Sequence, residues 1–429
     1  MKQTLNDLYE MRGYLILWLT QMISGLGSAM TSYALVIWSY TQQGSALATA
    51  MLMVCSYTPY VVCSIFAGAL SDRWDKKKIM LTCDALAALC TVAVLLLLKS
   101  GSLRVWHLYV VNVISGLMNT VQQPAGEVAT TAMLDPKFYQ KVGGLRYLSS
   151  SLQSILTPIL ATAVLGLWGM DAVIAMDLGS FAIAFAVLLF FIPIPKIPAG
   201  ERKESVLKSA AEGIRWLRDH RGIFHLMLFL AGINLVASMY SAAFPAMMLS
   251  KPQAGEQAMG TVNAVIGLST LAGSILASVW KAPGSRVKTI WYCLMVSMCT
   301  ENFFLAFGSS LPVWCFGAFL GWILIPWMNA NLDVINRLNI PAQIQGRVFA
   351  ARNSFQFFTI PVGYFLGGFL VDRVFEPLMA AQRADSIWVG LFGAGKGSGA
   401  AFLFAVLWLT GMLVCLLFRG DRHIWRLEE

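Results

Sequence analysis

The chain has 429 residues, of which 57% are hydrophobic and only 12% charged, with a formal net charge of +9. Soluble domains carry about 25% charged residues, so a disordered chain is excluded and the composition argues against a soluble multidomain enzyme. In a chain this apolar the positive balance points to basic cytoplasmic loops rather than to a nucleic-acid partner.

A membrane helix needs about 20 mostly apolar residues. Unbroken apolar runs such as 174–192 and 400–418 meet that length, and the alternation of an outer-membrane barrel is missing. The chain reads as an all-α membrane protein. Residues 1–13 are polar and of mixed charge, and the first apolar run is too long for a secretory leader. Twelve transmembrane helices are predicted, at 13–40, 46–70, 79–98, 105–133, 145–168, 172–192, 223–249, 258–280, 289–308, 311–333, 348–371 and 398–418. With the N-terminus inside, 25 of the 31 Lys and Arg fall on the cytoplasmic side. Lys99, Arg104, Lys251, Arg373, Arg383 and Lys396 fall outside. That asymmetry predicts a multi-pass cell-membrane protein with both termini in the cytoplasm.

Residues 193–222 divide the chain into an N-terminal bundle, 1–192, and a C-terminal bundle, 223–429, of six helices each. The linker opens with Pro-Ile-Pro-Lys-Ile-Pro, which cannot continue a helix. Residues 203–219 then read as an amphipathic helix. Leu207, Ala210, Ala211, Ile214 and Leu217 recur at helical spacing. Arg202, Lys203, Lys208, Arg215, Arg218 and Arg221 form its basic face. Such a helix can lie along the inner leaflet or serve as a plain tether.

The halves carry a weak repeat. Gly143, Ser151, Gln153 and Pro158 recur as Gly346, Ser354, Gln356 and Pro361, all offset by 203 residues. These lie on spans 5 and 11. Duplicated six-span halves make a transporter that rocks about a midplane site.

The loop after span 2 reads Gly68-Ala-Leu-Ser-Asp72-Arg73-Trp-Asp75-Lys76-Lys77-Lys78. This resembles motif A, G-x-L-x-D-R-x-G-R-[KR]-x, of the major facilitator superfamily, at the place where that family carries it. Asp75 stands where the motif has a second glycine. Asp72-Arg-Trp-Asp-Lys-Lys-Lys-Ile-Met with Asp84 carries a finer resemblance, to the macrolide-efflux-like branch of drug:proton antiporters. So do Ser151-Leu-Gln-Ser154 with Pro158, Ala172–Asp177, and Glu212-Gly213 with Leu217-Arg218. The resemblance implies a secondary active transporter, most simply a proton-coupled exporter of amphiphilic drugs such as macrolides. Related branches move lysophospholipids or siderophores. A membrane sensor that moves nothing is a further alternative, against which the short tail 419–429 weighs.

In the motif Gly68 allows spans 2 and 11 to approach, and Asp72 is placed to cap the span 11 N-terminus, for about 0.3–1 kcal/mol. Arg73 and Lys77 can pair with acids or lipid phosphates, and Asp84 is expected to join this gating network. The duplicate loop at 281–288 keeps Gly284, Arg286 and Lys288 but lacks the acid. Two features depart from the antiporter pattern. Span 5 reads Thr157-Pro158-Ile-Leu-Ala-Thr rather than ending Gly-Pro-x-x-Gly-Gly, and residues 105–123 of span 4 hold no arginine.

Acids within spans are functional candidates by default. Glu301, Asp177 and Glu127 are the proton-coupling candidates. Glu301 lies mid-span with no Lys or Arg in the same helix; Glu127 and Asp333 lie near helix ends and can pair with nearby bases. By family analogy the substrate cavity is expected on spans 1, 4, 7 and 10, with candidates Gln21, Ser24, Ser28, Asn119, Asn234, Trp327 and Asn329, joined by Gln153 and Gln356 of the repeat. Interhelical hydrogen bonds are the rival role for these residues. Trp38, Trp106, Trp168, Trp280, Trp291 and Trp314 are expected as interface anchors.

The eight cysteines lie in apolar runs and form no CxxC pair, and no two of the four histidines have metal spacing. No metal or other cofactor is expected. No ATP-binding G-x-x-x-x-G-K-[ST] occurs, and no catalytic cluster suggests an enzyme. The expected partners are a small amphiphile, protons and membrane lipids, with the chain a monomer.

Overall fold

A computed structural model of the chain describes residues 9–195, 206–251, 254–341, 348, 351–352 and 355–428. It is helical throughout, with no strand among the described residues. The helices are α1 (Arg12–Gln43), α2 (Ala46–Arg73), α3 (Lys76–Lys99) and α4 (Val105–Met133). The long helix Tyr139–Phe190 is broken at Gly169, whose φ of 76° lies in the left-handed region. Glycine adopts that region without a Cβ penalty. The two arms, 139–168 and 170–190, are α5 and α6. Val164 and Val173, on either side of the break, meet Met30, Ala34 and Ala161 in one buried cluster, which marks a tight hairpin.

Next come the short α7 (Val206–Asp219), then α8 (Arg221–Ser250), α9 (Glu256–Val279) and α10 (Arg286–Phe307). The predicted tenth span is two helices end to end, α11 (Leu311–Ile323) and α12 (Ile325–Asn339). Pro326 explains the break, since proline cannot donate into a continuous ladder. α13 (Thr359–Leu370) runs into a π-helical turn, Val371–Phe375, and the short α14 (Glu376–Ala380). α15 (Ile387–Phe392), α16 (Ser398–Arg419) and α17 (Arg422–Trp425) complete the chain. Nine helices among the described residues are long and apolar enough to cross a membrane. The arms on either side of Gly169 occupy the predicted spans 5 and 6, and the helices α1 and α4, which are not among those nine, occupy the predicted spans 1 and 4. The protein is an all-α, multi-pass membrane protein.

Two compact units emerge. The first comprises 1–35 with 58–203; the second comprises 36–57 with 204–429. In the first, Leu17, Met80, Ala129, Leu188 and Ile192 form a buried cluster that ties α1, α3, α4 and α6. In the second, α8 packs on α13 and α16, and α10 packs on α11 and α16.

On α7, Leu217 is buried and Ile214 exposed, with Arg215 and Arg218 outward. The tryptophan expectation needs correction. Trp106, Trp168 and Trp280 are exposed, but Trp314 and Trp291 are core residues, 0% and 8% exposed. Their indole N–H groups donate to the carbonyls of Gly308 and Cys415. A satisfied polar handle is what lets a large ring stay buried. All eight cysteines are free thiols.

Candidate functional site

The loop that suggested a gate leads into the first unit's polar site. Asp75, which stands where motif A has a glycine, is the N-cap of α3; its side chain accepts the Lys78 amide at 3.1 Å. An acid suits that place because the helix N-terminus is electropositive. Lys77 donates to the carbonyls of Leu189 at 3.0 Å and Ile192 at 2.8 Å, so it closes the end of α6 rather than pairing with an acid. The side chains of Asp72 and Arg73 and the surroundings of Gly68 lie outside what the structure describes.

About 12 Å further along α3 sits Asp84. Gln122 of α4 donates to its Oδ1 at 2.5 Å, and Gln21 of α1 donates to its Oδ2 at 3.4 Å. The carboxyl is therefore held between two neutral amides. It is half-buried, which leaves it reachable. Pro124 follows two residues after Gln122 and cannot donate into the α4 ladder, which weakens the helix beside the cluster.

Asp177 is more enclosed, at 3% exposure. Ser28 of α1 donates to its Oδ1 at 2.9 Å. Gly27 makes this possible: a Cβ there would sit 3.0 Å from the Asp177 Cα. In the second unit Glu301, 4% exposed, accepts from the Trp322 indole at 2.8 Å. A Cβ on Gly321 would lie 2.7 Å from the Glu301 Cβ, so glycine lets α11 close on this carboxyl. Glu127 is different. It pairs with Arg146 at 2.9 Å, with both side chains about half exposed at 52% and 57%, a setting in which an ion pair contributes little.

The predicted cavity residues divide. Gln21 and Ser28 serve acids of their own unit. Ser24 is half-buried, and Asn119 and Asn329 are exposed. Trp327 meets Trp280 edge-on at 4.6 Å. The two glutamines of the repeat occupy related places. Gln153 lies against α1, with its amide 3.5 Å from the Met22 carbonyl. The backbone carbonyl of Gln356 accepts from Asn234 of α8 at 3.3 Å. Span 5 thus leans on span 1 as span 11 leans on span 7, each within one unit.

The tail supplies groups that the sequence did not flag. The acid missing from the loop at 281–288 arrives from Glu428. Its carboxylate accepts from the Ser285 hydroxyl at 2.5 Å, from the Arg286 amide and from the Val287 amide at 3.2 Å, capping α10. Asp421 bonds the His225 ring at 2.6 Å. Burial pushes the Asp421 carboxyl up, but the bonds from His225 and from the amides of His423 and Ile424 outweigh it and hold the group below its ordinary range. No signal in the local sequence pairs residues nearly two hundred positions apart.

The model for the Major Facilitator Superfamily matches residues 17–363. The chain belongs to the Major Facilitator Superfamily. Macrolide efflux protein A of Streptococcus pyogenes is 24% identical over 373 residues, spanning 85% of this chain and 91% of that protein. The Enterobactin exporter EntS of Citrobacter koseri is 27% identical over 269 residues, spanning 60% of this chain and 61% of that protein. Among solved structures, a bacterial homologue of the iron transporter ferroportin superposes with a TM-score of 0.70 at 14% identity, covering 95% of this chain and 98% of its own. The nucleoside transporter NupG gives 0.68 at 12% identity, covering 94% and 98%. These structures share the superfamily fold, and the relatives named for export support efflux transport.

Proposed function

We propose that this member of the superfamily is a secondary active exporter of small amphiphilic compounds, macrolide-like drugs among them, driven by inward proton flow across the cell membrane. Both termini are cytoplasmic in this reading, and the bundles 1–192 and 223–429 rock about a central pocket. Asp72 with Gly68 and Arg73 holds one gate. No catalytic step is involved.

The observation that carries the reading is the carboxyl of Asp84 between Gln21 and Gln122. A side-chain amide both donates and accepts. The same two glutamines can therefore satisfy a charged carboxylate and, after amide reorientation, a protonated carboxyl. A lysine or arginine partner would hold the charged form instead. Asp84 is also the most accessible of the three span acids with neutral partners; Asp177 and Glu301 are enclosed. Protonation gives the two conformations different affinities for substrate, and a ligand that binds both equally shifts nothing.

The test is dye and macrolide efflux in a bacterium lacking its own pumps, with and without a protonophore. The expected result is protonophore-sensitive efflux that Asp84→Asn abolishes at normal protein level. Efflux that survives both treatments would overturn proton coupling through Asp84. The similarity to an enterobactin exporter favours a second reading, siderophore export. It predicts release of iron chelators, not dye, from the same strain.

A further inference from the structure

The six-residue core of the motif at the end of α2 occurs twice. Gly68-Ala-Leu70-Ser-Asp72-Arg73 is matched by Gly368-Phe-Leu370-Val-Asp372-Arg373, offset by 300 residues, where α13 runs into its π-helical turn. Both read G-x-L-x-D-R; the first copy ends α2, and the second straddles the junction of α13 and the π turn that leads on into α14.

The second copy is engaged. Asp372 accepts three hydrogen bonds at the N-terminus of α2: from the Ser45 hydroxyl at 2.6 Å, the Ala46 amide at 3.0 Å and the Leu47 amide at 2.9 Å. All of these residues belong to the second unit. Two of the helix's unpaired amides and its positive end are satisfied together. Gly368, four residues earlier, is the point of closest approach. A Cβ there would lie 2.7 Å from the Leu47 Cα and 2.9 Å from the Ala50 Cβ. Tyr57 and Tyr364 continue the same seam, with ring centroids 6.5 Å apart. The π turn, Val371–Phe375, begins one residue before Asp372. Such turns add a residue to the helical repeat and re-aim the side chains beside them. Ser45 and Asp72 lie at opposite ends of α2.

We propose that Asp372 and Gly368 form a second latch, which closes the outer side as Asp72 and Gly68 close the inner side. In this proposal the two motif copies are reciprocal: Asp372 caps the start of α2, and Asp72 plays the matching part in the other latch. Closing one latch separates the spans at the far end, so the two caps alternate through the transport cycle. The assignment of sides rests on the transporter reading above.

The test is amide hydrogen exchange at Ala46 and Leu47 in the purified full chain in lipid nanodiscs. Asp372→Asn is expected to raise exchange about 5- to 30-fold, the range set by loss of a helix cap. Ser45→Ala, which leaves the carboxylate in place, is expected to give a smaller rise and serves if the first variant does not fold. Asp72→Asn weakens the opposite latch and is expected to slow exchange at the same two amides at least twofold. Exchange unchanged in Asp372→Asn and Ser45→Ala would overturn the cap. Exchange unchanged in Asp72→Asn would reduce Asp372 to a local cap and overturn the alternation. Dye efflux in the same variants separates the two ideas. Flat exchange in a chain that still exports removes the latch alone, whereas altered exchange in a chain that exports nothing removes the exporter reading alone.

Discussion

Replacing Trp322 by Phe isolates the indole bond to Glu301. The indole N–H donates to Glu301 Oε1 at 2.8 Å, and the glutamate is 4% exposed. Phe keeps an aromatic ring but no donor. The buried carboxyl is then one donor short, which costs about 1–3 kcal/mol. Water has little room to replace the indole, because Gly321 already brings α11 against Glu301. Trp322→Phe is therefore expected to lower the thermal midpoint of the purified full chain in a fixed detergent. Adding Glu301→Met removes the unsatisfied group, and replacing both partners by apolar groups is nearly neutral. The double variant should regain most of the loss, with a coupling of about 0.5–3 kcal/mol in the cycle. It should also still export, since Asp84 carries the proton in the proposed mechanism. An unchanged midpoint in Trp322→Phe, or a double variant that loses the sum of the single effects, would refute the bond. Export lost whenever Glu301 is replaced would move the proton role from Asp84 to Glu301.

Three further outcomes follow from local geometry. Lys77→Met removes the cation at the end of α6 and should cost about 0.3–2 kcal/mol, seen as a lower thermal midpoint with efflux per molecule unchanged. Gly363→Ala would place a Cβ 2.6 Å from the Leu235 carbonyl oxygen and 2.7 Å from the Ser238 Cβ; overpacking of about 1–3 kcal/mol should lower the midpoint, whereas Gly126→Ala, which meets nothing within 4 Å, should not. The Asp421 carboxyl is held below its ordinary range, so its contribution to anchoring the tail is complete above about pH 4 and is lost as the pH falls through the folded-state value; fluorescence of Trp425 should report tail release on acidification, and Asp421→Asn should remove that transition.

The spans were legible because apolar length is a local property. Among the described residues the runs of about 20 apolar residues are helical, the tenth as two helices end to end, and Gly169 marked a hairpin that composition alone had already separated into two spans. The 203-residue repeat was legible because it keeps residue types at fixed spacing, and Gln153 and Gln356 do lie against spans 1 and 7 of their own units. Contacts between distant positions were not legible. Trp314 stands near a span end, where an interface anchor is the ordinary reading, but the Gly308 carbonyl six residues away satisfies its N–H and lets the ring stay inside. Asp84 lies beside motif A in sequence, yet its described partners come from α1 and α4, 63 and 38 residues away. Glu428 fills the acid position of the duplicated loop from 142 residues further on.

The polar stripe on span 1 shows how burial sets these roles. Gln21 and Ser28 are seven residues apart, two turns of helix, and so share a face. One reaches Asp84 on α3 and the other Asp177 on α6. A carboxyl in a lipid-spanning bundle needs hydrogen-bond partners wherever it sits, and here α1 supplies them with neutral groups at both levels. Gly27 at one level brings α1 within reach of α6, and Gly25 near the other leaves room for Gln153 of α5. The stripe that sequence assigned to the substrate is thus occupied in part by holding acids in place. The two acids differ in access, however. Asp177 is enclosed by the close approach at Gly27, whereas Asp84 is half-buried beside the helix weakened by Pro124. A displacement of α1 against α3 would strain the 3.4 Å Gln21 bond before the 2.5 Å Gln122 bond. Movement of one span would thereby alter the solvation of a single carboxyl, which is the physical link that coupling of protons to conformation requires.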